Sequence, residues 1–451
     1  MRFGSTGGRI DRIARPTSSL MIAVATGLLA CTSTAHATDG YFQTGYGARQ
    51  KALAGAGVAD GRDSTTTSLN PAGLTRAPSE FSMAASGFMP HRYMEGGPAN
   101  PFPGFTPIGR VESDSEFFLI PNMGWSQKVN WGWADAIGFA VYGNGGMNTD
   151  YPAVMRQLAI GECFAPPPAP PGTPVGKQTG VFCNGASGVN LQQALISFGV
   201  AKQVAPGLSV GVAPILARQQ FEAVGLEAFG VGGSVTDVSW GGGVKGGIEW
   251  SIAPAFRLGV AATSRIYMNK FEKYANLFAE QGDFDIPASV QAGIAVDLAP
   301  NLTVMADYKH IWYSSIASIA NPSNRILAGI PLGADNGSGF GWKDVDVFKV
   351  GVEWRTSPSL TLRAGYSYNT SPLRSEDVMF NILAPATVQH HISAGAQFKL
   401  TDRIDLEAAV IYVPESTVSG VELANGNPAH TIKIGMDQLD VTVGIKYRLG
   451  P

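Results

Sequence analysis

The residues whose side chains could support chemistry are few and scattered in this 451-residue sequence. Its six histidines belong to no Ser-His-Asp pattern of the kind that activates a nucleophile. His390 and His391 are neighbours on a strand-like run, so their side chains point to opposite faces. His310 follows Lys309 in a similar run. The sequence therefore predicts no catalytic residue, no metal site and no cofactor, and it argues against a hydrolase.

The cysteines offer one structural possibility. Cys163 and Cys183 flank the proline-rich tract Pro166–Pro171 within one long loop, at 144–188. In an exported protein such a pair more often forms a disulfide than a metal or catalytic site. Closing this loop would contribute about 3 kcal/mol in the chain-entropy model. The sequence predicts the disulfide, with two free thiols as the alternative.

The first 37 residues have the organisation of a secretory signal peptide. Four arginines precede an apolar stretch, Leu20–Ala30, and Ala35–Ala37 supplies an A-x-A cleavage site. Lipidation of Cys31 is the alternative processing. Cleavage after Ala37 leaves 28 basic and 34 acidic residues, a net charge of −6. This balance argues against a nucleic-acid partner.

The elements that position these residues are strands. Only 15% of the residues are charged, against about 25% in ordinary soluble domains. Apolar and polar residues alternate with a period of two in Leu360–Asn369, Ile404–Val413 and Leu439–Leu449, which is typical of strands with one apolar face. A soluble sandwich would show the same alternation, so the spacing of the turns must decide between the two folds.

The turns alternate between two lengths. Six tight turns lie at 130–132, 205–207, 253–255, 299–301, 357–359 and 401–403. Seven long loops separate the strand pairs that these turns join, so the chain has fourteen strands and both ends lie on the short-turn side. This alternation is typical of bacterial outer-membrane barrels. We therefore predict an all-β fold, a 14-stranded antiparallel transmembrane β-barrel over residues 80–451, in the outer membrane of a Gram-negative bacterium.

The two faces of the predicted strands differ in chemistry. The apolar faces end in aromatic residues, as an interfacial girdle would: Trp250, Trp312, Trp354, Tyr366, Tyr412 and Tyr447. The opposite faces carry charges of both signs, which only a wet lumen accommodates: Lys245, Glu249, Arg257, Asp307, Lys309, Lys349, Glu353, Arg355, Arg363, Asp405, Glu407 and Asp440. We interpret these charges as structural ladders rather than as a transport path.

Residues 38–79 do not follow the strand pattern. They are rich in small residues, carry few charges and include the triplet Asn70-Pro71-Ala72. Proline fixes φ and an asparagine side chain binds neighbouring backbone, so the triplet suits a rigid corner. The alternative is a disordered exported tail, but the low charge favours packing inside another structure.

Several runs resemble one family, the FadL/TodX-like transporters of long-chain fatty acids and hydrocarbons (the OMPP1 family). The first run is Gly-x-Gly-Ala-Arg with Ala-Gly-Ala-Gly-Val-Ala-Asp and Asn-Pro-Ala-Gly-Leu, between residues 45 and 74. Four more follow in order, at Ile120–Met123, Tyr142–Gly146, Phe340–Asp344 and Arg363–Pro372. The resemblance implies a fourteen-stranded barrel with residues 38–79 as a hatch inside it. It also implies a kinked third strand with a lateral opening at Gly143, Asn144, Gly145 and Gly146, where glycines favour a bulge.

The predicted external loops are unusually apolar, and apolar surface of this extent is typical of a binding site. We expect these loops to bind the ligand through Phe102, Phe105, Ile108, Leu226, Phe229, Leu277, Phe278, Ile326, Leu327, Ile330, Met379, Phe380, Ile382 and Leu383. The predicted function is passive uptake of hydrophobic small molecules, with lateral release near strand 3. A general diffusion porin is the alternative, and an adhesin or structural barrel is another.

The sequence does not distinguish a fatty acid, an alkane and an aromatic hydrocarbon as the ligand, and no residue is assigned to a ligand head group. The expected partners are this ligand and outer-membrane lipid, including lipopolysaccharide, with the protein a monomer. Two features depart from the family pattern: the proline-rich loop is an insertion, and the chain ends at Leu449-Gly450-Pro451 instead of on an aromatic residue.

Overall fold

The computed structural model describes residues 39–98, 105–155, 179–422 and 430–450. Within these ranges fourteen long strands form one sheet. The first seven are β1 Glu80–Gly96, β2 Phe118–Lys128, β3 Ala136–Tyr151, β4 Ser187–Ala205, β5 Leu208–Val224, β6 Asp237–Ala253 and β7 Phe256–Thr263. The others are β8 Ser289–Ala299, β9 Leu302–Ile311, β10 Val345–Ser357, β11 Leu360–Asn369, β12 His390–Lys399, β13 Ile404–Val421 and β14 Thr431–Arg448.

The sheet closes on itself. Each strand pairs antiparallel with the next, and β14 pairs with β1 from Glu80↔Arg448 to Gly96↔Ile432. Two short strands, Gly109–Glu112 and Tyr267–Met268, extend the pairing of β1 and β6. The prediction of a closed 14-stranded antiparallel barrel is confirmed. No helix in the described ranges is long and apolar enough to cross a bilayer.

The alternation of residues decides which face is buried. In β11, Leu362 and Tyr366 are exposed on the outside, whereas Arg363 and Ser367 are buried on the inside. The six predicted girdle aromatics all lie on the outer surface, 38–53% exposed. In a membrane protein this outer surface meets lipid, because the apolar band of an outer-membrane barrel faces outward.

Shorter helices lie in the hatch, residues 39–79, and in the external loops. The hatch contains α1 Gly47–Ala52, α2 Thr66–Leu69 and a 3-10 helix, Pro71–Thr75. In the loops, α3 is Ala279–Gly282 and α4 is Ala317–Ala320, and six 3-10 helices lie at Glu227–Phe229, Glu272–Tyr274, Tyr313–Ser315, Ser323–Ala328, Ser375–Asp377 and Phe380–Ile382. Most hatch residues are buried, because the hatch packs inside the barrel.

The predicted corner at Asn70-Pro71-Ala72 joins the hatch to the wall. The Asn70 side-chain amide donates to the backbone oxygens of Val58, at 2.7 Å, and of Ile248 in β6, at 3.0 Å. Its oxygen accepts from the Ala72 backbone N–H at 3.1 Å, and Pro71 begins the 3-10 helix. One side chain therefore caps a helix, closes a hatch turn and contacts the barrel.

Most of the inward charges on the wall pair with the hatch. Lys51 of α1 binds Asp440 of β14 at 2.5 Å, and Arg49 binds Glu353 of β10 at 3.0 Å. These groups are nearly inaccessible to solvent. Since removing one partner leaves an uncompensated buried charge, the pairs hold the hatch in one position. The interpretation as structural ladders was therefore incomplete, because the wall charges bind the hatch as well as one another.

Glycines in the wall leave room for the hatch backbone. A Cβ on Gly247 would overlap the Asn70 amide oxygen, and one on Gly365 would overlap the Leu53 carbonyl carbon. By contrast, the neighbouring Gly246 faces outward with no atom within 4 Å of such a Cβ. The close approach of hatch and wall therefore requires glycine on the inner face only.

We predict that Gly247→Val displaces the Asn70 corner and destabilises the hatch by about 1–3 kcal/mol, the usual cost of overpacking. Limited proteolysis of the folded barrel, followed over a denaturant series, would measure this as earlier cleavage of the hatch. Gly246→Val is the matched control and should behave like the wild type. Equal cleavage of the two variants would contradict the packing argument.

Candidate functional site

The pairing between β2 and β3 is interrupted. The ladder runs from Lys128↔Ala136 to Asn122↔Tyr142 and then stops. If the ladder continued, Asp114 would lie opposite Asp150. At that point one hydrogen bond does join the two segments, from the Asp114 N–H to the Asp150 oxygen at 2.8 Å. Between these points, segments 115–121 and 143–149, both described in full, form no ladder pairs with each other. We call this interruption the wall gap.

The predicted residues Gly143–Gly146 lie on one edge of the wall gap. β3 continues through them to Tyr151, so the long loop begins later than residue 144. The pairing of β3 with β4 shifts register between Gly143 and Gly145, which makes Asn144 the extra residue of a bulge. The irregular part of this strand lies within Gly143–Gly146, and the role of these residues in ligand release stays a prediction.

The hatch takes the place of β2 along this edge. The Gln43 N–H donates to the Asn144 oxygen at 2.9 Å, and the Gly146 N–H donates to the Tyr41 oxygen at 3.2 Å. The Gln43 side chain donates to the Gly143 oxygen at 2.9 Å. Buried backbone groups require hydrogen-bond partners, and here residues 41–43 supply them from inside the lumen.

Asp39 anchors this N-terminal part of the hatch. Its carboxylate is fully buried and lies 3.1 Å from the Lys349 ammonium and 3.2 Å from that of Lys309. Burial alone would raise the pKa of Asp39, but the two ammonium groups hold it below the ordinary value of 3.8. The carboxylate is therefore ionised at neutral pH.

An aromatic cluster connects the hatch to the external loops. The Tyr41 ring lies 5.2 Å from Tyr313 and 6.0 Å from Trp342. The Tyr313 hydroxyl donates to the Asp39 backbone oxygen at 2.7 Å and accepts from the Tyr41 N–H at 3.1 Å. Sequence analysis missed this cluster, because Tyr41 and Tyr313 are 272 residues apart and neither is in a periodic run.

Most of the predicted loop residues come together above the hatch. In one large apolar cluster, Phe105, Leu226, Phe278, Met379, Ile382 and Leu383 are buried, and Phe229, Leu277, Ile326 and Phe380 pack against it. Leu327 is 50% exposed, and Ile108 and Ile330 lie outside the cluster. These three therefore lie apart from the apolar cluster, Leu327 facing solvent and Ile108 and Ile330 half-buried, and their role in ligand binding stays a prediction. Phe102 lies outside the described residues.

A cavity of about 530 Å³ opens within this cluster and we call it the loop cavity. Six predicted residues line it: Leu226, Phe229, Leu277, Phe278, Phe380 and Leu383. Phe182, Phe221 and Phe340 also line it and were missed. Phe221 belongs to strand β5, and its place near the outer end of an inward face was a usable signal.

A second cavity of about 530 Å³ lies in the lumen beside the hatch and the edge of β3. Its walls combine apolar side chains with two ammonium groups: Phe42, Tyr46, Tyr142, Leu195, Ile266, Lys245 and Lys309. We call it the lumen cavity. It shares Asn144 with the wall gap, so a ligand in it would touch the bulge of β3.

A third cavity of about 330 Å³ lies inside the wall gap, between β1, β3 and the hatch. We call it the gap cavity. Its lining includes Phe88, Arg92, Gly146 and Trp342. Beside it, Phe88, Phe118 and Ile120 form a small buried apolar cluster. An apolar surface thus continues from the lumen to the segment of β2 that does not pair with β3.

The signal peptide and part of the predicted disulfide lie outside the residues that the structure describes. The signal peptide at 1–37, Cys31 and Cys163 are outside the described residues, so the cleavage site and the Cys163–Cys183 disulfide stay predictions. Cys183 is buried beside the loop cluster. In the described ranges, no three His, Cys, Asp or Glu side chains are grouped as a metal ion requires.

Known proteins share the sequence pattern and the fold. The model of the outer membrane protein transport protein family (OMPP1/FadL/TodX) matches residues 184–446, more than half of the chain. No curated protein sequence matches.

Solved structures with similar folds include the Pseudomonas putida toluene transporter TodX, with a TM-score of 0.65 and 14% identity over 90% of this chain and 99% of that one. A Pseudomonas aeruginosa FadL homologue has a TM-score of 0.65 and 15% identity over 91% and 100%. The Ralstonia pickettii toluene transporter TbuX has a TM-score of 0.56 and 14% identity over 90% and 99%.

Asp39→Asn should loosen the N-terminal part of the hatch, because two buried ammonium groups lose their shared carboxylate, a change of about 3–5 kcal/mol for a buried pair. Hydrogen exchange at the amides of residues 41–43 would measure the loss of protection at pH 7. Because the folded pKa lies below 3.8, the stabilisation is complete above the ordinary pKa and is lost as the pH falls through the folded value.

Wild type and Asp39→Asn should therefore differ at neutral pH, and the difference should shrink as the pH falls below 3.8 and through the lowered pKa of Asp39. Asp402→Asn, which removes a carboxylate from an exposed turn, is the control and should leave the protection unchanged. Equal protection in wild type and Asp39→Asn at pH 7 would show that Asp39 does not hold this segment.

Proposed function

Because the chain belongs to the OMPP1/FadL/TodX family of outer membrane transport proteins, we propose that it admits hydrophobic small molecules passively and releases them sideways into the membrane. The observation that carries this proposal is the wall gap, whose β3 edge is hydrogen-bonded to hatch residues 41–43 instead of to β2. A short movement of these hatch residues would free one side of the barrel wall.

Capture begins in the loop cavity. Its lining is almost entirely apolar, with five phenylalanines from different loops and Phe221 from β5. Each methylene of a ligand buried there contributes about 0.8 kcal/mol. This site therefore favours alkyl chains and aromatic rings over polar nutrients, whatever head group they carry.

The ligand then moves to the lumen cavity rather than straight down the barrel. Below the lumen cavity, the hatch occupies the interior. Its charged residues Arg49, Lys51 and Asp60 all form ion pairs there. An apolar ligand gains nothing in that polar region. Exit through the wall gap, past Phe118 and Ile120, keeps it in apolar surroundings.

A general porin requires an open lumen, whereas here the hatch occupies it. We propose further that the protein works as a monomer in contact with lipopolysaccharide, that the leader is removed after Ala37, and that Cys163 and Cys183 form a disulfide beside the loop cavity. Transport of this kind needs no catalytic group and follows the concentration gradient of the ligand.

Phe229→Ala should weaken capture, since the ring lines the loop cavity and contacts Phe182 and Phe380 at 5.4 and 5.7 Å. Losing a buried ring costs about 1.5–3 kcal/mol, so half-saturation of uptake should rise about tenfold or more with the maximal rate unchanged. Initial uptake of radiolabelled toluene and dodecanoate would measure both parameters. Phe398→Ala, at an exposed outer position on β12, should change neither.

Gly146→Phe should stop release, because the side chain would fill the wall gap while the pairing of β3 with β4 persists. The expected result is uptake reduced to background with the barrel still folded, as judged by its gel mobility before and after heating. Ile137→Phe, on the same strand and facing outward, is the size-matched control. Undiminished uptake by Gly146→Phe would rule out the lateral route.

A further inference from the structure

The end of the barrel that carries the short turns opens into a cavity of about 1270 Å³. The turns at 300–301 and 357–359 form part of its rim, and the short turns of outer-membrane barrels face the periplasm. We call this cavity the periplasmic vestibule. Arg49 and Arg62 of the hatch line it from within, whereas the loop cavity lies among the external loops at the opposite end. The vestibule is therefore separate from the apolar route described above.

The lining of the periplasmic vestibule is polar and strongly basic. Of its fifteen residues six are cationic, and one, Glu353, is acidic. The cations come from the hatch and from four strands: Arg49, Arg62, Arg355, Arg363, Lys399 and Arg448. Apart from two prolines, none of the fifteen is apolar, so an alkyl chain or an aromatic ring would gain little there. The lining instead suits a small, polar anion.

Four guanidinium groups share the carboxylate of Glu353. Their nitrogens approach its oxygens as follows: Arg363 at 2.9 Å, Arg49 and Arg355 at 3.0 Å, and Arg62 at 3.8 Å. The other three arginines each bind a second carboxylate as well. Within the described ranges, Arg355 reaches no carboxylate except the shared one. The positive charge around Arg355 is therefore only partly balanced by the protein.

Arg62 and Arg355 lie side by side at the surface of the vestibule. Both donate to the Thr303 hydroxyl oxygen, Arg62 at 3.0 Å and Arg355 at 3.3 Å. A second nitrogen of Arg355 also points at this oxygen, at 3.4 Å, so more N–H groups converge on it than its two lone pairs accept. The arginine side chains are 27% and 29% exposed, against 6% for Glu353. The groups that face the open cavity are thus the cations.

We propose that the periplasmic vestibule binds a soluble phosphate-bearing anion between Arg62 of the hatch and Arg355 of β10. A guanidinium offers parallel N–H groups that match the oxygens of a phosphate, and a multiply charged anion balances two neighbouring cations better than one carboxylate does. Lys399 and Arg448 line the same cavity and strengthen the field that attracts the anion. The anion is a soluble one, because these side chains face the lumen and not the surrounding lipid. This site does not depend on the proposed function.

The bound anion would join the hatch to the wall at the periplasmic end. Arg62 belongs to the hatch and Arg355 to the wall, and the oxygens that they share belong to Thr303 and Glu353. An anion held by both guanidinium groups replaces the repulsion between like charges with charge-assisted hydrogen bonds. Occupancy of the vestibule therefore adds a contact that fixes this part of the hatch.

Titration of the purified full chain with pyrophosphate tests the site. Calorimetry at low ionic strength, where charges are least screened, should show saturable binding of one pyrophosphate per chain. Arg355→Gln should weaken this binding about tenfold or more, the worth of a charged hydrogen bond, and Arg355→Lys should weaken it less. The Arg355→Gln barrel should still fold, because Glu353 keeps three other guanidinium partners.

Arg403→Gln is the matched control, since Arg403 is exposed in the short turn at 401–403 and does not line the vestibule. It should bind pyrophosphate like the wild type. Equal weakening in Arg403→Gln and Arg355→Gln would indicate a diffuse basic surface and would overturn the proposal, as would wild-type protein that shows no saturable binding. Acetate should compete poorly with pyrophosphate, and equal competition would overturn the assignment to phosphate. Tighter binding of dihexanoylphosphatidate than of pyrophosphate would overturn the assignment to a soluble anion.

A second measurement on the native chain keeps the proposal testable if Arg355→Gln does not fold. The N–H groups of Gly61, Arg62 and Ser64 are hydrogen-bonded in the hatch. Pyrophosphate at ten times its Kd should slow their hydrogen exchange about tenfold, because only the closed hatch binds it. Exchange of the Gln43 amide, which is bonded to β3 at the wall gap, should not change. Unchanged exchange at residues 61–64 would show that the anion does not join the hatch to the wall.

Discussion

The need to satisfy every buried backbone group governs this barrel, because lipid offers no hydrogen bonds to an open strand edge. Along most of the wall the neighbouring strand meets that need. Where β2 and β3 separate, the hatch meets it instead, through the backbone of Tyr41 and Gln43. The interruption of the wall and the hatch segment that covers it are thereby joined by the same hydrogen bonds, and their positions cannot vary independently.

The charges inside the barrel divide the hatch into two parts. The body from Gly47 to Arg76 is held by ion pairs and backbone contacts to at least six strands, including those of Arg49, Lys51 and Asp60. The N-terminal part, residues 39–46, is held by Asp39 and by the hydrogen bonds to β3. The two parts of the hatch are thus attached to the wall unequally, and the more weakly attached part is the one that lies next to the wall gap.

Much of the fold was predictable, because strand alternation and turn length are local properties of the chain. The outer aromatics and the inward charges follow from the period of two, and the strand number and closure follow from the alternation of short turns and long loops. The corner at Asn70 and the bulge at Asn144 follow from resemblance to known motifs. The partners of the inward charges were not predictable: Lys51 and Asp440 are 389 residues apart, and only the closed barrel brings them together.

The hatch touches both ends of the barrel sequence. Lys51 contacts Ser86 of β1 and Asp440 of β14, and Asp63 contacts Lys446 of β14, so the plug lies across the seam where the first and last strands meet. Closure of the sheet and docking of the plug are therefore coupled, because the buried pairs at the seam form only when the plug and both terminal strands are in place.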